Sequence, residues 1–364
     1  MLKSTMLAIT AGKEDGIAIV RKDIPIPTPN SGQVLVRIIY AGQNPPDAYA
    51  LDKQRSAAYF DPDFILGSDL SGIVVESKSD NVPIGARICA WVPGNTSVTG
   101  AYAEYVVCDA EMVICVPANL SLRLAAALPF SFFTALHGLQ VGLGLQMDKM
   151  DTERTPVLIW GAGTACGYYA SQLLHLAGYE VIAVAGQKSK YQLEAVGVNN
   201  FYPRDNLDQA IDKSLDACVR CMKTEASAHI HTLLPAQPSV TKLANLKITF
   251  DLVHTMTGKS LPILSMVQPA HTADHLALHH EIAVEWSKYD KGLLYKMLQK
   301  NQIKILPITV WREDALANSN VKERIESIKE ALEFVANGSA FPNGKIVHHI
   351  QDIQQRIEHL LGGP

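Results

Sequence analysis

The chain has 364 residues, 48% of them apolar and 19% charged, and a formal net charge of −4. That length exceeds one ordinary core and points to two domains, while the near-neutral balance offers no basic surface for nucleic acid or an anionic membrane. The start, Met1-Leu-Lys-Ser-Thr-Met6, runs into alternating sequence without the apolar block of a secretory signal. With six scattered cysteines, the expectation is a cytoplasmic protein with reduced thiols, bound to neither membrane nor nucleic acid.

Residues 1 to about 120 read as β-rich. Strand candidates are 16–21, 33–40, 71–76 and 103–107, punctuated by Pro25, Pro27, Pro29, Gly32, Pro83, Gly85 and Gly94. Many short strands between Gly/Pro turns predict a barrel-like β domain. From Leu124 to Met147 no Lys, Arg, Asp or Glu occurs, but Pro129, Thr134, His137 and several glycines interrupt the run. This predicts a buried helix pair rather than a membrane span.

Further on, Val157-Leu-Ile-Trp160 reads as a buried parallel strand. It breaks into Gly161-Ala-Gly163-Thr164-Ala165-Cys166-Gly167 and resumes as a helix through Ala170, Leu173, Leu174 and Ala177. Val181-Ile-Ala-Val-Ala185 follows at the distance of a βαβ unit. Glycines at such a turn let backbone N–H groups approach a pyrophosphate at the positive end of the helix. A glycine pattern alone marks only a tight turn. The strand, helix and second strand around it predict dinucleotide binding by residues 161–167.

An NAD-specific fold places an acid at the end of the second strand, to accept from the ribose 2′-OH. Here the strand runs into Gly186-Gln-Lys188-Ser189-Lys190. Those side chains suit a 2′-phosphate, so the expected cofactor is NADPH; the competing reading is a solvated turn that opens the next helix. Two other clusters have bland readings beside sharp ones. Cys218 and Cys221 have no second pair, so two free thiols are expected. His275 and His279 share a helical face but lack a third ligand, so no metal is expected there. Near the end, Ile325, Ile328, Leu332 and Val335 have helical spacing, and Gly338 is the expected stop.

Several short motifs recur in a telling order: Asp23-Ile-Pro-Ile-Pro-Thr-Pro29, Ala41-Gly-Gln-Asn44-Pro-Pro-Asp47, Leu66-Gly-Ser-Asp69-Leu-Ser-Gly72 and Ile84-Gly-Ala-Arg-Ile88. Gly100-Ala-Tyr-Ala-Glu-Tyr105, Ala125-Ala-Ala-Leu-Pro129, the glycine turn and Asn343-Gly-Lys345-Ile-Val347 complete the series. Together they resemble the medium-chain dehydrogenase/reductase superfamily over nearly the whole chain. The likeness is to its zinc-free branch, with quinone oxidoreductases and the fungal trans-acting enoyl reductases that serve polyketide synthases.

The resemblance implies an α/β protein in two domains. A GroES-like β-barrel catalytic domain would span 1–125, completed by 318–364, and a Rossmann NADPH-binding domain would span 126–317. It also implies that no metal is held. Zinc-using relatives carry a Cys where this chain has Gln43-Asn44-Pro45, and Gly-His-Glu where it has Gly67-Ser68-Asp69. Cys89, Cys108 and Cys115 lack the spacing of the relatives' four-cysteine lobe.

By the same resemblance, zinc-free members add hydride from NADPH to the β-carbon of an alkene conjugated to a carbonyl, and the enolate then takes a proton. The implied substrate is small, apolar and carbonyl-conjugated, with a polyketide synthase as the implied partner; monomer and homodimer are both open. Asn44 matches a position near the nicotinamide ribose and substrate, and Thr134 one beside the nicotinamide. Tyr49 stands where several fungal relatives have a Lys, with Tyr59 as a second phenol, and Tyr202 resembles a Tyr set against the adenosine phosphate. Each has a plainer alternative: an Asn-Pro turn, a helix Thr bonding its own backbone, or a packing aromatic. Residues 261–271, the counterpart of a strand that touches the nicotinamide, contain no glycine. A non-redox enzyme for proton transfer or cyclisation, and an accessory protein that binds NADPH without turnover, therefore remain open beside the reductase.

Overall fold

The computed structural model describes residues 4–12, 17–52, 64–95, 99–204, 228–232, 246–250, 256, 272–336 and 345–351. Cys218, Cys221, residues 261–271, Tyr59 and Gly338, all singled out in the sequence, lie outside them. The described chain forms two compact units. One is built from residues 4–130 and 281–351, the other from residues 131–280 apart from the span 261–266.

In the first unit, β1 (Thr5–Ala11) and β2 (Ala18–Pro25) form an antiparallel ribbon. A larger sheet is organised around β3 (Gln33–Gly42), which pairs antiparallel with β4 (Asp69–Ser77). Next in order lie β5 (Arg87–Trp91) and the short β7 (Ile114–Cys115). The other edge of β3 is shared. Its first half pairs with β6 (Tyr105–Asp109) and its last residues with the C-terminal strand Lys345–His349. Residues Val34 to Ile39 of β3 are all buried, Arg37 among them, so burial does not alternate along this strand. The apolar core joins Ile9, Val36, Leu70, Ile88 and Tyr102 to Ile325, Ile328 and Leu332.

β3 passes through Asn44 into a short helix, α1 (Pro45–Tyr49). Prolines at its first two positions fit because the N–H groups they lack have no intrahelical acceptor there. After β7 come α2 (Leu122–Ala125) and α3 (Pro129–His137), the latter running on through one π turn, Gly138–Gly142. The stretch Leu122–Gly142 is long and apolar enough to cross a membrane, yet 78% of its apolar window is buried within the protein. Burial against protein removes the need for lipid.

The second unit carries the βαβ unit read from the sequence. β8 (Pro156–Trp160), α4 (Ala165–Leu176) and β9 (Glu180–Ala185) follow in order, then α5 (Lys190–Glu194) and β10 (Asn200–Pro203). The sheet is parallel, in the order β10-β9-β8. A separate parallel pair joins β11 (Ala228–Thr232) to β12 (Leu246–Phe250).

Residues 281–317, expected in the nucleotide-binding domain, cluster instead with the β-rich unit. The helix Ala273–Ser287 (α6) leads to Tyr289, whose backbone pairs with Val113 and Cys115 beside β7. Asn119 donates to the carbonyl of Leu298 at the end of α7 (Leu293–Gln299). α8 (Val321–Ala336) is amphipathic: Ile325, Ile328 and Leu332 are fully buried, and Lys322–Glu326 and Lys329–Glu333 pair outside.

Candidate functional site

The glycine turn is held from both sides. Gly161 has φ +84°, a conformation that L side chains rarely adopt, and its N–H bonds the carbonyl of Val184 on β9 at 2.9 Å. Thr164 caps α4: its hydroxyl donates to the Gly161 carbonyl at 2.9 Å and accepts from the Gly167 N–H at 3.1 Å. A Cβ at Gly163 would strike the hydroxyl of Ser189, and one at Gly167 would strike the Gly161 carbonyl. Gly163, Thr164, Ala165 and Cys166 thus lie where backbone can approach an anion at the positive helix end.

Ser189 lies against Gly163, closing the side of this turn with its hydroxyl. It ends a 3₁₀ turn, Gln187–Ser189. Lys188 is exposed, and Lys190 opens α5 with its ammonium 3.7 Å from Glu194. Tyr202, 52% exposed, is level with Val184 in the β10–β9 ladder. The turn with Lys188, Ser189 and Lys190 follows the carboxyl end of β9, and Tyr202 lies near the carboxyl end of β10, the edge at which open α/β sheets bind ligands.

The first unit holds a second assembly, a buried polar network around Asn44. Asn44 is 4% exposed. Its backbone N–H donates to Asp47 at 2.7 Å, and its side-chain amide donates to Asp69 at 3.0 Å. Asp47 also accepts from the Asn95 amide at 2.8 Å and the Tyr102 hydroxyl at 2.7 Å. Asn95, itself at φ +69°, accepts in turn from the Gly67 N–H at 2.9 Å. Asp69 takes the Phe130 N–H at 2.6 Å and the ammonium of Lys345. The carboxylates of Asp47 and Asp69 are fully buried, so each must find donors inside the protein.

Burial pushes the Asp47 carboxyl up to about 6; the bonds from Asn95, Asn44 and Tyr102 oppose this, and the nearby Asp69 charge adds to it. The Tyr102 phenol is pushed well above its ordinary range, chiefly by burial and then by the Asp47 charge. It is a hydrogen-bond donor here and not a proton source. Beside it, His348 bonds Gln43 at 2.8 Å and is held at about 3 by burial, hence neutral.

Tyr49, on α1, is half-buried. Thr134 is the one position between Ala125 and Leu139 that is not buried. Phe130, Phe132 and Phe133 are core residues, and Phe132 packs edge-on against Tyr169 with ring centroids 6.0 Å apart. His275 is exposed, whereas His279 is buried against His137, with ring centroids 5.2 Å apart. Among the described residues no group of three or more His, Cys, Asp or Glu is placed to hold a metal.

The sequence reading quoted Asp47, Asp69, Tyr102 and Lys345 as motif members but gave them no role, and it passed over Asn95. Asp69 and Lys345 each open a strand, where a charge is ordinary, so the sequence carried little sign that the two are buried as a pair.

Residues 30–118 match the alcohol dehydrogenase GroES-like domain. A zinc-type alcohol dehydrogenase-like protein of Schizosaccharomyces pombe is 32% identical over 226 residues, 59% of this chain and 63% of that protein. A trans-enoyl reductase of Aspergillus flavipes is 32% identical over 209 residues, 54% of this chain and 55% of that protein. This chain thus spans less than two thirds of the length of either relative. The crystal structure of an alcohol dehydrogenase superfamily protein from Novosphingobium aromaticivorans superposes with a TM-score of 0.69 at 23% identity, covering 95% of this chain and 100% of that one. The architecture is accordingly a GroES-like domain with a Rossmann domain, the fold shared with that alcohol dehydrogenase superfamily protein.

Proposed function

We propose that this chain is an NADPH-dependent, zinc-independent reductase of an activated C=C bond in a small apolar enone or enoyl substrate, acting beside a polyketide synthase. The glycine turn carries the reading. Gly161, at φ +84°, makes the tight turn, and the absence of a Cβ at Gly163 and Gly167 lets that turn pack against Ser189 and the start of α4, the close strand-to-helix turn on which a pyrophosphate is held. Similarity to a trans-enoyl reductase supports the substrate class and the synthase partner. Lys188, Ser189 and Lys190, with no acid in the turn, favour the 2′-phosphate of NADPH, and Tyr202 offers an exposed ring at the same edge.

When bound, the nicotinamide supplies the hydride. The chain's own residues position and stabilise. Asn44 brings a buried, fixed amide. Tyr49 brings a phenol that can donate a proton, and Thr134 a hydroxyl on a helix otherwise buried around it. The donors available for zinc do not suit it. Asn44 and Ser68 replace the relatives' Cys and His, and Asp69 is already engaged by the Lys345 ammonium.

Titrating intrinsic fluorescence with NADPH and NADH, then following nicotinamide absorbance with an enone, an enoyl thioester and a quinone, tests the reading. Tight NADPH binding with oxidation by an enone or enoyl thioester is expected. Binding without oxidation by any acceptor sinks the reductase and leaves a nucleotide-binding accessory protein. Lack of binding sinks the cofactor assignment.

A further inference from the structure

We propose that Asp69, its charge held by Lys345, is the positioning residue that sets which way the Asn44 amide faces. The inference rests on the reductase reading and deepens it. A carboxylate opposite an ammonium only accepts hydrogen bonds. Of the two ends of the Asn44 amide, therefore, the NH₂ must be the one 3.0 Å from Asp69, and the carbonyl oxygen is directed away. The remaining donors to Asp69 are fixed as well: the Phe130 N–H at 2.6 Å and the Lys345 ammonium, itself only 4% exposed.

The backbone of Asn44 is pinned independently. Its N–H meets Asp47 at 2.7 Å, and Asp47 is locked by Asn95 and Tyr102. One carboxylate thus fixes where Asn44 sits and the other fixes its amide. An amide able to flip would offer a bound molecule a donor in one state and an acceptor in the other. Facing Asp69, it offers one arrangement. Asp69 is fully buried, so its effect on a bound molecule passes through Asn44.

The test is a mutant cycle in the full chain, read as kcat and KM for NADPH-dependent reduction of an enone. It compares wild type, Asn44→Ala, the charge-neutral pair Asp69→Asn with Lys345→Met, and all three changes together. Residues that act as a unit give non-additive losses. We expect Asn44→Ala and the neutral pair each to lower kcat about tenfold, with the combined variant no worse than Asn44→Ala alone. Losses that multiply would show Asp69 to be merely structural and overturn the proposal. Ser71→Ala, which removes a buried bond to the Leu122 carbonyl from the same strand, should lower Tm without changing kcat; a parallel fall in kcat would also count against it. If the neutral pair does not fold, Asp69→Glu keeps the charge, displaces the acceptor by one methylene and enters the same cycle with the same expectation. A wild type that never oxidises NADPH refutes the reductase reading itself; an active wild type with multiplicative losses refutes only the role of Asp69.

Discussion

Asp47 makes the network pH-sensitive in a defined direction. A carboxyl raised to about 6 by burial binds its proton more tightly in the folded chain than in the unfolded one. Its stabilising contribution is therefore full at acid pH and is lost as pH rises from about 4 through about 6. A shift of roughly two units corresponds to about 3 kcal/mol. Asp47→Asn cannot ionise, so the stability of this variant relative to wild type should improve by about 2–3 kcal/mol between pH 4 and pH 8. Urea unfolding at both pH values measures this, and a difference that stays constant would show that Asp47 does not titrate in the window. Gly163 offers a sharper test at the same scale. Any side chain there meets Ser189, and Asp adds a charge that repels phosphate. Gly163→Asp should weaken NADPH binding at least about 100-fold, and unchanged affinity by fluorescence would remove the turn from the cofactor site.

At the level of elements, local pattern was legible and long-range partnership was not. The βαβ unit could be read because Val157–Trp160, the glycine break and Val181–Ala185 each carry their own signal. The C-terminal helix was equally plain from Ile325, Ile328 and Leu332. Leu332→Ala should cost about 2–5 kcal/mol in urea unfolding, because the side chain is fully buried and its removal leaves a cavity. Breaking the exposed Lys322–Glu326 pair should cost under about 0.5 kcal/mol. A larger loss from the ion pair than from the leucine would invert this account of what holds the helix. Residues 281–317 escaped the sequence reading because backbone pairing of Tyr289 with Val113 and Cys115, distant in sequence, sets their place. The polar network is hidden for the same reason: Asn44, Asp69 and Lys345 meet across separations of 25 and 276 residues. Composition can announce that a buried charge needs a partner, and only the fold supplies it.

For the molecule as a whole, the glycine turn lies in one unit and the buried polar network in the other, with the cation of that network supplied by Lys345. Cofactor binding should then stabilise the chain and metal removal should not. A ligand that binds only the folded state at about 100 times its Kd adds about 2.7 kcal/mol, so saturating NADPH should raise Tm by several degrees. NADH at the same concentration should raise it less, because no acid in the 187–190 turn accepts from a free 2′-OH and Lys188 gains nothing without a phosphate. Lys188→Glu should narrow the gap by adding the acid that an NAD site wants. Overnight dialysis against EDTA should leave both Tm and turnover where they were. Equal shifts from the two nucleotides, insensitive to Lys188→Glu, would strike out the 2′-phosphate assignment. Loss of activity on dialysis, restored by Zn²⁺, would mean that Asp69 serves a metal and that Lys345 gives way to it.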